Sequence, residues 1–170
     1  VRYYTGVGSR NTPDSICCLI SKLALFMENK GFILRSGCAA GADTAFYKGL
    51  KDKSKCEIYL PWKGFNGSDS LFIDPSVRAL KIAERTLDNS HWNTLTSAGR
   101  KLHARNVHQV LGPNCDSPSE LLVCWTKDGR DIGGTATAIK VARNHNIRVY
   151  NLGKEATRAY FENLINLPWE

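Results

Sequence analysis

The feature that most constrains this chain is an alternation. Short β-branched and aromatic runs are followed by segments whose apolar residues recur at helical spacing, and the joints between them are turns of glycine and other small residues. "YYTGVGS" reads as a first strand. "TPDSICCLISKLALFMENKG" follows as a helix, with Thr12 and Pro13 as cap and first helical residue, Ile16, Leu19, Ile20, Leu23, Ala24 and Met27 on one face, and Gly31 as the stop. "FILRSG", "ADTAFYKGLK" and "CEIYLPW" continue as strand, helix and strand. Later in the chain a helix near Ala98 to Leu111 precedes "ELLVCWT", "GGTATAIKVARNHN", "IRVYNLG" and "ATRAYFENLINL", which repeat the pattern. Strands that alternate with helices of this length pair in parallel through right-handed crossovers. The expected fold is α/β: a doubly wound, mostly parallel, Rossmann-like sheet in a single domain over residues 1–170. Residues 63–96 interrupt the alternation and are predicted to form an insertion or lid, because compact domains seldom carry so long a connection without a use for it.

Ligands of such sheets bind beyond the carboxyl ends of the strands, where the strand order reverses. Three turns fall there: "GVGSR", "SGCAAGAD" and "DGRDIGGT". Gly6, Gly8, Gly37, Gly41, Gly133 and Gly134 leave the backbone bare in them, and the helices that follow begin with N–H groups that have no internal partner. Those groups suit an anion, and the helix dipole adds to the attraction. Taken singly, each turn is better explained by close strand-to-helix packing; three converging on one edge point instead to phosphate.

Ser9, Ser36, Thr44 and Thr135 add hydroxyls that either donate to a ligand or cap a helix. Arg10 and Arg35 flank the first two turns and could hold phosphate or carboxylate, although Arg35 could instead pair with Asp43. Asp43, within the first turn of a helix, is comfortable there electrostatically and is also placed to accept hydrogen bonds from a ribose. In and just before the 63–96 segment, Trp62, Phe65, Asn66, His91, Trp92 and Asn93 could stack on or read a base. Trp62, beside Pro61, more simply pins the loop, whereas Trp92 is read as facing the ligand. His91, His103, His108 and His145 make no metal set and are read as structural or surface groups.

"GVGSR", "SGCAAGADTAFYKGL", "ARNVHQVLG" and "GGTATAIKVARNHNIRVYNLG" occur in the order of similar patterns in the Rossmann domain of DNA-processing protein A, which the chain resembles over most of its length. That domain belongs to a wider group that includes the Lonely-guy phosphoribohydrolases and nucleotide-sensing domains of bacterial defence systems. The chain looks similar to the small single-domain members often seen in bacteriophage genomes. The resemblance implies pocket roles for Gly8, Ser9, Arg10, Ser36, Gly37, Gly41, Asp43, Gly133, Gly134 and Thr135, and it adds Arg105 and Asn106. Two departures stand out. Phe46 occupies a usual His position of DNA-processing protein A, and Ala138 stands where the Lonely-guy pattern has its catalytic Glu. If the chain is an enzyme, Asp43 and Asp131 are the candidate catalytic carboxylates, with Asp131 otherwise a turn residue.

Three functions follow as expectations. The first is binding of a phosphorylated nucleotide or nucleotide-derived small molecule, such as a nucleoside monophosphate, an ADP-ribose-type molecule or a cyclic nucleotide, sensed or sequestered without turnover; the second is a nucleoside 5′-monophosphate N-glycosidase; the third is single-stranded DNA binding. A net charge of +7 favours anionic partners of any of these kinds, but the Lys and Arg residues are scattered rather than run together as in a nucleic-acid tail. Cys17, Cys18, Cys38, Cys56, Cys115 and Cys124 lack zinc-ligand spacing and are expected as reduced thiols, so neither metal nor cofactor is called for. No run is long and apolar enough to span a bilayer, and no secretory pattern opens the chain, so a cytoplasmic protein without a membrane partner is expected. Homo-oligomerisation is left open.

Overall fold

The computed structural model describes residues 1–167. Five strands, β1 (Arg2–Gly8), β2 (Phe32–Ser36), β3 (Cys56–Ile58), β4 (Leu121–Trp125) and β5 (Arg148–Asn151), form one sheet in the order β3-β2-β1-β4-β5. Every pairing is parallel. Between and after the strands lie α1 (Asp14–Asn29), α2 (Ala42–Gly49), α3 (Val77–Thr86), α4 (Asn89–Thr94), α5 (Ser97–Leu111), α6 (Thr135–Asn144) and α7 (Glu155–Ile165). The strand order reverses beside β1, because the chain winds outward through β2 and β3 before crossing back to β4.

Alternation along the strands divides the core in two. Tyr4, Leu34 and Val123 pack with α1, α2 and α7, whereas Val7, Leu122 and Cys124 pack with α3, α5 and α6. Parallel sheets need this cover on both faces. On the first face Phe46 is fully buried and meets Tyr4 edge-on with ring centroids 6.2 Å apart. Burying a ring of that size is worth about 1.5–3 kcal/mol. The position where the resemblance has His is therefore core here.

Several local expectations change. Pro13, not Thr12, is the N-cap of α1, and the Thr12 hydroxyl donates to the Ser9 carbonyl at 2.6 Å. The segment 63–96 is not wholly a lid: Ala79, Ala83, Leu87 and Trp92 are buried in the second core layer. Its polar stretch holds a helix, α4, capped by Asp88, whose side chain accepts the His91 N–H at 2.8 Å.

Arg35 is withdrawn from any ligand. Its register opposite Glu57 in the β2–β3 pair sets up a 2.9 Å ion pair, its guanidinium stacks 3.9 Å from the Tyr3 ring centroid, and it donates to the Ser117 carbonyl. Parallel register supplies a carboxylate one strand away, so the partner is Glu57 rather than Asp43. All six cysteines are free thiols.

Candidate functional site

A cleft of about 1090 Å³ opens at the carboxyl ends of β1 and β4, the point where the strand order reverses. Gly8 and Trp125 form its floor, and the turns after β1 and β4 its rim. The turns after β1 and β2 are stitched together, since the Ser9 carbonyl accepts the N–H of Ala42 as well as that of Thr12, both at 3.3 Å. Gly41 makes this possible: with φ +82 and a Cβ position only 2.5 Å from the Ser9 oxygen, it admits no side chain. The first turn thus spends much of its own polarity, and the Ser9 hydroxyl accepts the Asn11 N–H at 3.0 Å.

The turn after β4 is different. Among the described residues nothing accepts the backbone N–H of Gly133, Gly134 or Thr135, and the space over both glycines is open for 4 Å. Asn106 fixes the turn from α5 by donating to the Gly134 carbonyl at 2.9 Å. Three bare amides at the start of a ten-residue helix are chemically able to receive an anion.

Arg105 is the least expected group in the cleft. It is only 8% exposed, yet its Nε and Nη1 have no hydrogen-bond partner, and among the described residues it closes no ion pair. The Phe65 ring centroid lies 5.5 Å from its guanidinium carbon. Burial pushes its pKa down, while the Asp43 charge pulls it up. Asp43 is buried as well; desolvation raises it to about 6, against the pull of Arg105 and of the Ala39 N–H that it accepts at 3.4 Å. These two side chains and Gln109 crowd over Gly37: a Cβ there would lie 2.7 Å from Arg105 Nη1, 2.7 Å from Gln109 Nε2 and 2.8 Å from Asp43 Oδ2. Gly37 is therefore a packing requirement of the cluster. Gln109 Oε1 is buried without a partner too.

Of the residues singled out in the sequence, Gly8, Ser9, Arg10 and Asp43 line the cleft from the first two turns. Arg105, Asn106, Gly133, Gly134 and Thr135 line it from α5 and the turn after β4. Gly37 and Gly41 support it from behind. Ser36 is fully buried and donates to the Gly6 carbonyl. Trp92 is turned into the core, where Arg100 lies 5.0 Å from its ring centroid, and so it does not face a ligand. Asp131 is held by Arg143 in an ion pair outside the lining, which separates it from Asp43. Phe65 lines the cleft, but of the SHWN cluster no residue does.

Two polar lining residues of α5 were not assigned to the site from the sequence. His103 lies with Nδ1 2.7 Å from the Thr137 hydroxyl, its pKa lowered by burial and by the neighbouring His91 and Arg105. Gln109 is the other. His103 sits mid-helix and Gln109 in the last turn of α5, and helical periodicity does not say that the end of a sheet lies beneath that face; the one available signal was their spacing from Arg105 and Asn106, which puts Gln109 one turn from the first and His103 one turn from the second. Among the described residues no group of three or more His, Cys, Asp or Glu side chains is placed to hold a metal ion, and no helix is long and apolar enough to cross a membrane. No family model, curated protein or solved structure matches the chain.

Proposed function

We propose that the cleft binds a phosphorylated nucleotide or nucleotide-derived small molecule. The observation that carries this is Arg105: a guanidinium more than nine-tenths buried, with two unpartnered nitrogens, costs the free protein stability and calls for an anion. The bare amides of Gly133, Gly134 and Thr135 and the cations Arg10 and Lys127 support it from the rim. Phe65, Leu95, Leu102 and Ile132 give the same cleft apolar walls suited to a base.

Calorimetric titration with nucleoside mono-, di- and bisphosphates is expected to give micromolar binding for at least one, with a rise in melting temperature under the same ligand. Silence across the panel overturns the proposal.

A second reading, nucleotide N-glycosidase activity, is favoured by Asp43, a carboxyl in the cleft raised to about 6 and so able to exchange a proton near neutrality. Ala138 lines the cleft without a carboxylate, and Asp131 is committed to Arg143, so Asp43 would act alone. Chromatography of the titration mixtures decides it: free base that appears with wild type and not with Asp43→Asn supports turnover, and intact nucleotide excludes it.

A further inference from the structure

Arg105 and Asp43 face each other across a gap. Arg105 Nη1 and Asp43 Oδ2 lie 2.7 Å and 2.8 Å from one point, the vacant Cβ position of Gly37, so they stand within two hydrogen-bond lengths of each other. Among the described residues no hydrogen bond or ion pair joins them. Both side chains are more than nine-tenths buried. The carboxylate is thus close enough to feel the guanidinium and too far away to be bonded to it.

Little else charged faces Asp43. Arg105, from α5, is the charged group that acts on it. The turn after β2 adds the Ala39 N–H and, beside it, the Cys38 thiol, which acts on Arg105. The turn after β1 brings Arg10 to the cleft, and α5 brings His103, which senses His91 and Arg105. α1 packs on α2 through apolar residues such as Ile20 and Ala24 and through Ser21, whose hydroxyl donates to the Ala45 carbonyl. Among the described residues Asp43 is the only carboxylate of the lining.

An anion that reaches Arg105 therefore arrives beside a buried carboxylate. Two negative charges would then share one guanidinium in a place with little water, and like charges so placed do not both persist. A phosphodiester or diphosphate diester keeps its charge at every pH where a carboxyl titrates, so the proton goes to Asp43.

We infer that Asp43 meets the ligand as a neutral carboxylic acid, and that binding of an anion at Arg105 carries a proton from solvent onto the Asp43 carboxyl. This rests on the nucleotide-binding function proposed above and adds a proton to it. It also reverses the role expected from the sequence, because a carboxylic acid offers an O–H where a carboxylate only accepts. Desolvation already holds Asp43 at about 6 before any ligand binds. A bound anion raises that value further, so affinity is highest below about 6 and falls as the pH rises through the interval between the free and the bound value.

Calorimetry on the intact protein, wild type and Asp43→Asn, with ADP-ribose and the 5′-monophosphates of the four ribonucleosides tests this at pH 5, 7 and 8, each in two buffers of different ionisation enthalpy. The diphosphate of ADP-ribose does not titrate in that range; a monophosphate does, near 6, and the comparison with Asp43→Asn cancels that proton and any taken by His103. For a compound that binds, the affinity of wild type relative to Asp43→Asn is expected to fall about tenfold from pH 5 to pH 8, with Asp43→Asn the tighter binder at pH 8. Proton uptake at pH 7 should be larger in wild type. A ratio that does not change with pH, equal proton uptake in both proteins, or weaker binding by Asp43→Asn at pH 8 overturns the proton inference while nucleotide binding stands. Absence of binding by every compound at all three pH values removes nucleotide binding itself, and the inference with it. The Asp43 carboxyl carbon resonance reads the same event in wild type alone: its titration midpoint is expected to rise by about one pH unit when the protein is saturated with the bound compound, and a midpoint that stays or falls overturns the inference.

Discussion

Asp43 and Arg105 are expensive residues to place where they are, and the expense is measurable without any ligand. Asp43 titrates at about 6 in the folded protein against 3.8 in its ordinary state, chiefly through burial. Between those values the folded protein holds a proton that the unfolded chain has released, so the contribution of this group to stability is greatest at acid pH and falls as the pH rises through about 6. Asp43→Asn is therefore expected to raise stability at pH 7 by on the order of 2 kcal/mol, with the gain vanishing near pH 4 in urea unfolding curves. A gain independent of pH would show that the carboxylate is not desolvated. Asp43 was legible in the sequence because a turn of small residues followed by a helical pattern locates a first turn. Arg105 was not legible from pattern, since a mid-helix arginine is ordinarily a solvated one; only the ordered resemblance pointed to it. Arg35 misled for the opposite reason: its neighbours in sequence are a glycine turn, but its neighbour in space is Glu57, and strand register is invisible to local reading.

At the scale of elements, the segment between β3 and α5 was the hardest to read, because its polar surface conceals how it docks. His108, on α5, is one of its clamps. Nε2 accepts the N–H of Ser76, the cap of α3, at 3.2 Å, and Nδ1 donates to the Gly112 carbonyl at 3.0 Å, while the ring stacks on Tyr59. The Ser76 bond requires an unprotonated Nε2, and burial lowers the ring's pKa against the pull of the Gly112 carbonyl. This contribution is complete above the ordinary His value of about 6.5 and is lost as the pH falls through the lower folded value. His108→Ala is expected to lower stability at pH 7 by on the order of 2 kcal/mol, because it removes the acceptor of the Ser76 N–H and the buried ring stacked on Tyr59, and to lose less stability than wild type on acidification. Equal acid sensitivity in both proteins would remove His108 as a clamp. The long helices and most strands, by contrast, were readable to within a few residues, since their signals are local: Gly31 and Gly112 end α1 and α5, and short apolar runs mark the strands, although β3 stops at Ile58 where the run CEIYLPW continues to Trp62. The cap of α4 at Asp88 was readable in principle, but a six-residue helix has too little periodicity to announce itself.

For the whole molecule, a net charge of +7 leaves nucleic acid as a competitor to small nucleotides, and the salt dependence of binding separates them. Nucleotide affinity is expected to fall with a log–log slope shallower than about 2, whereas an oligodeoxynucleotide held through many phosphates would show about 0.7 per contact. A steep slope together with tighter binding of the oligonucleotide would move the function to single-stranded DNA. The sheet order itself was not written in the sequence, which supplies strands but not their neighbours. That order also governs how the molecule is made. β1 lies at the centre, and Tyr4 must wait to meet Leu121, so during synthesis the earliest of the five strands keeps one side unpaired until the fourth has left the ribosome. Completion of the middle of this sheet is thus a late event, and until then the waiting strand offers an open edge on which a foreign strand could pair.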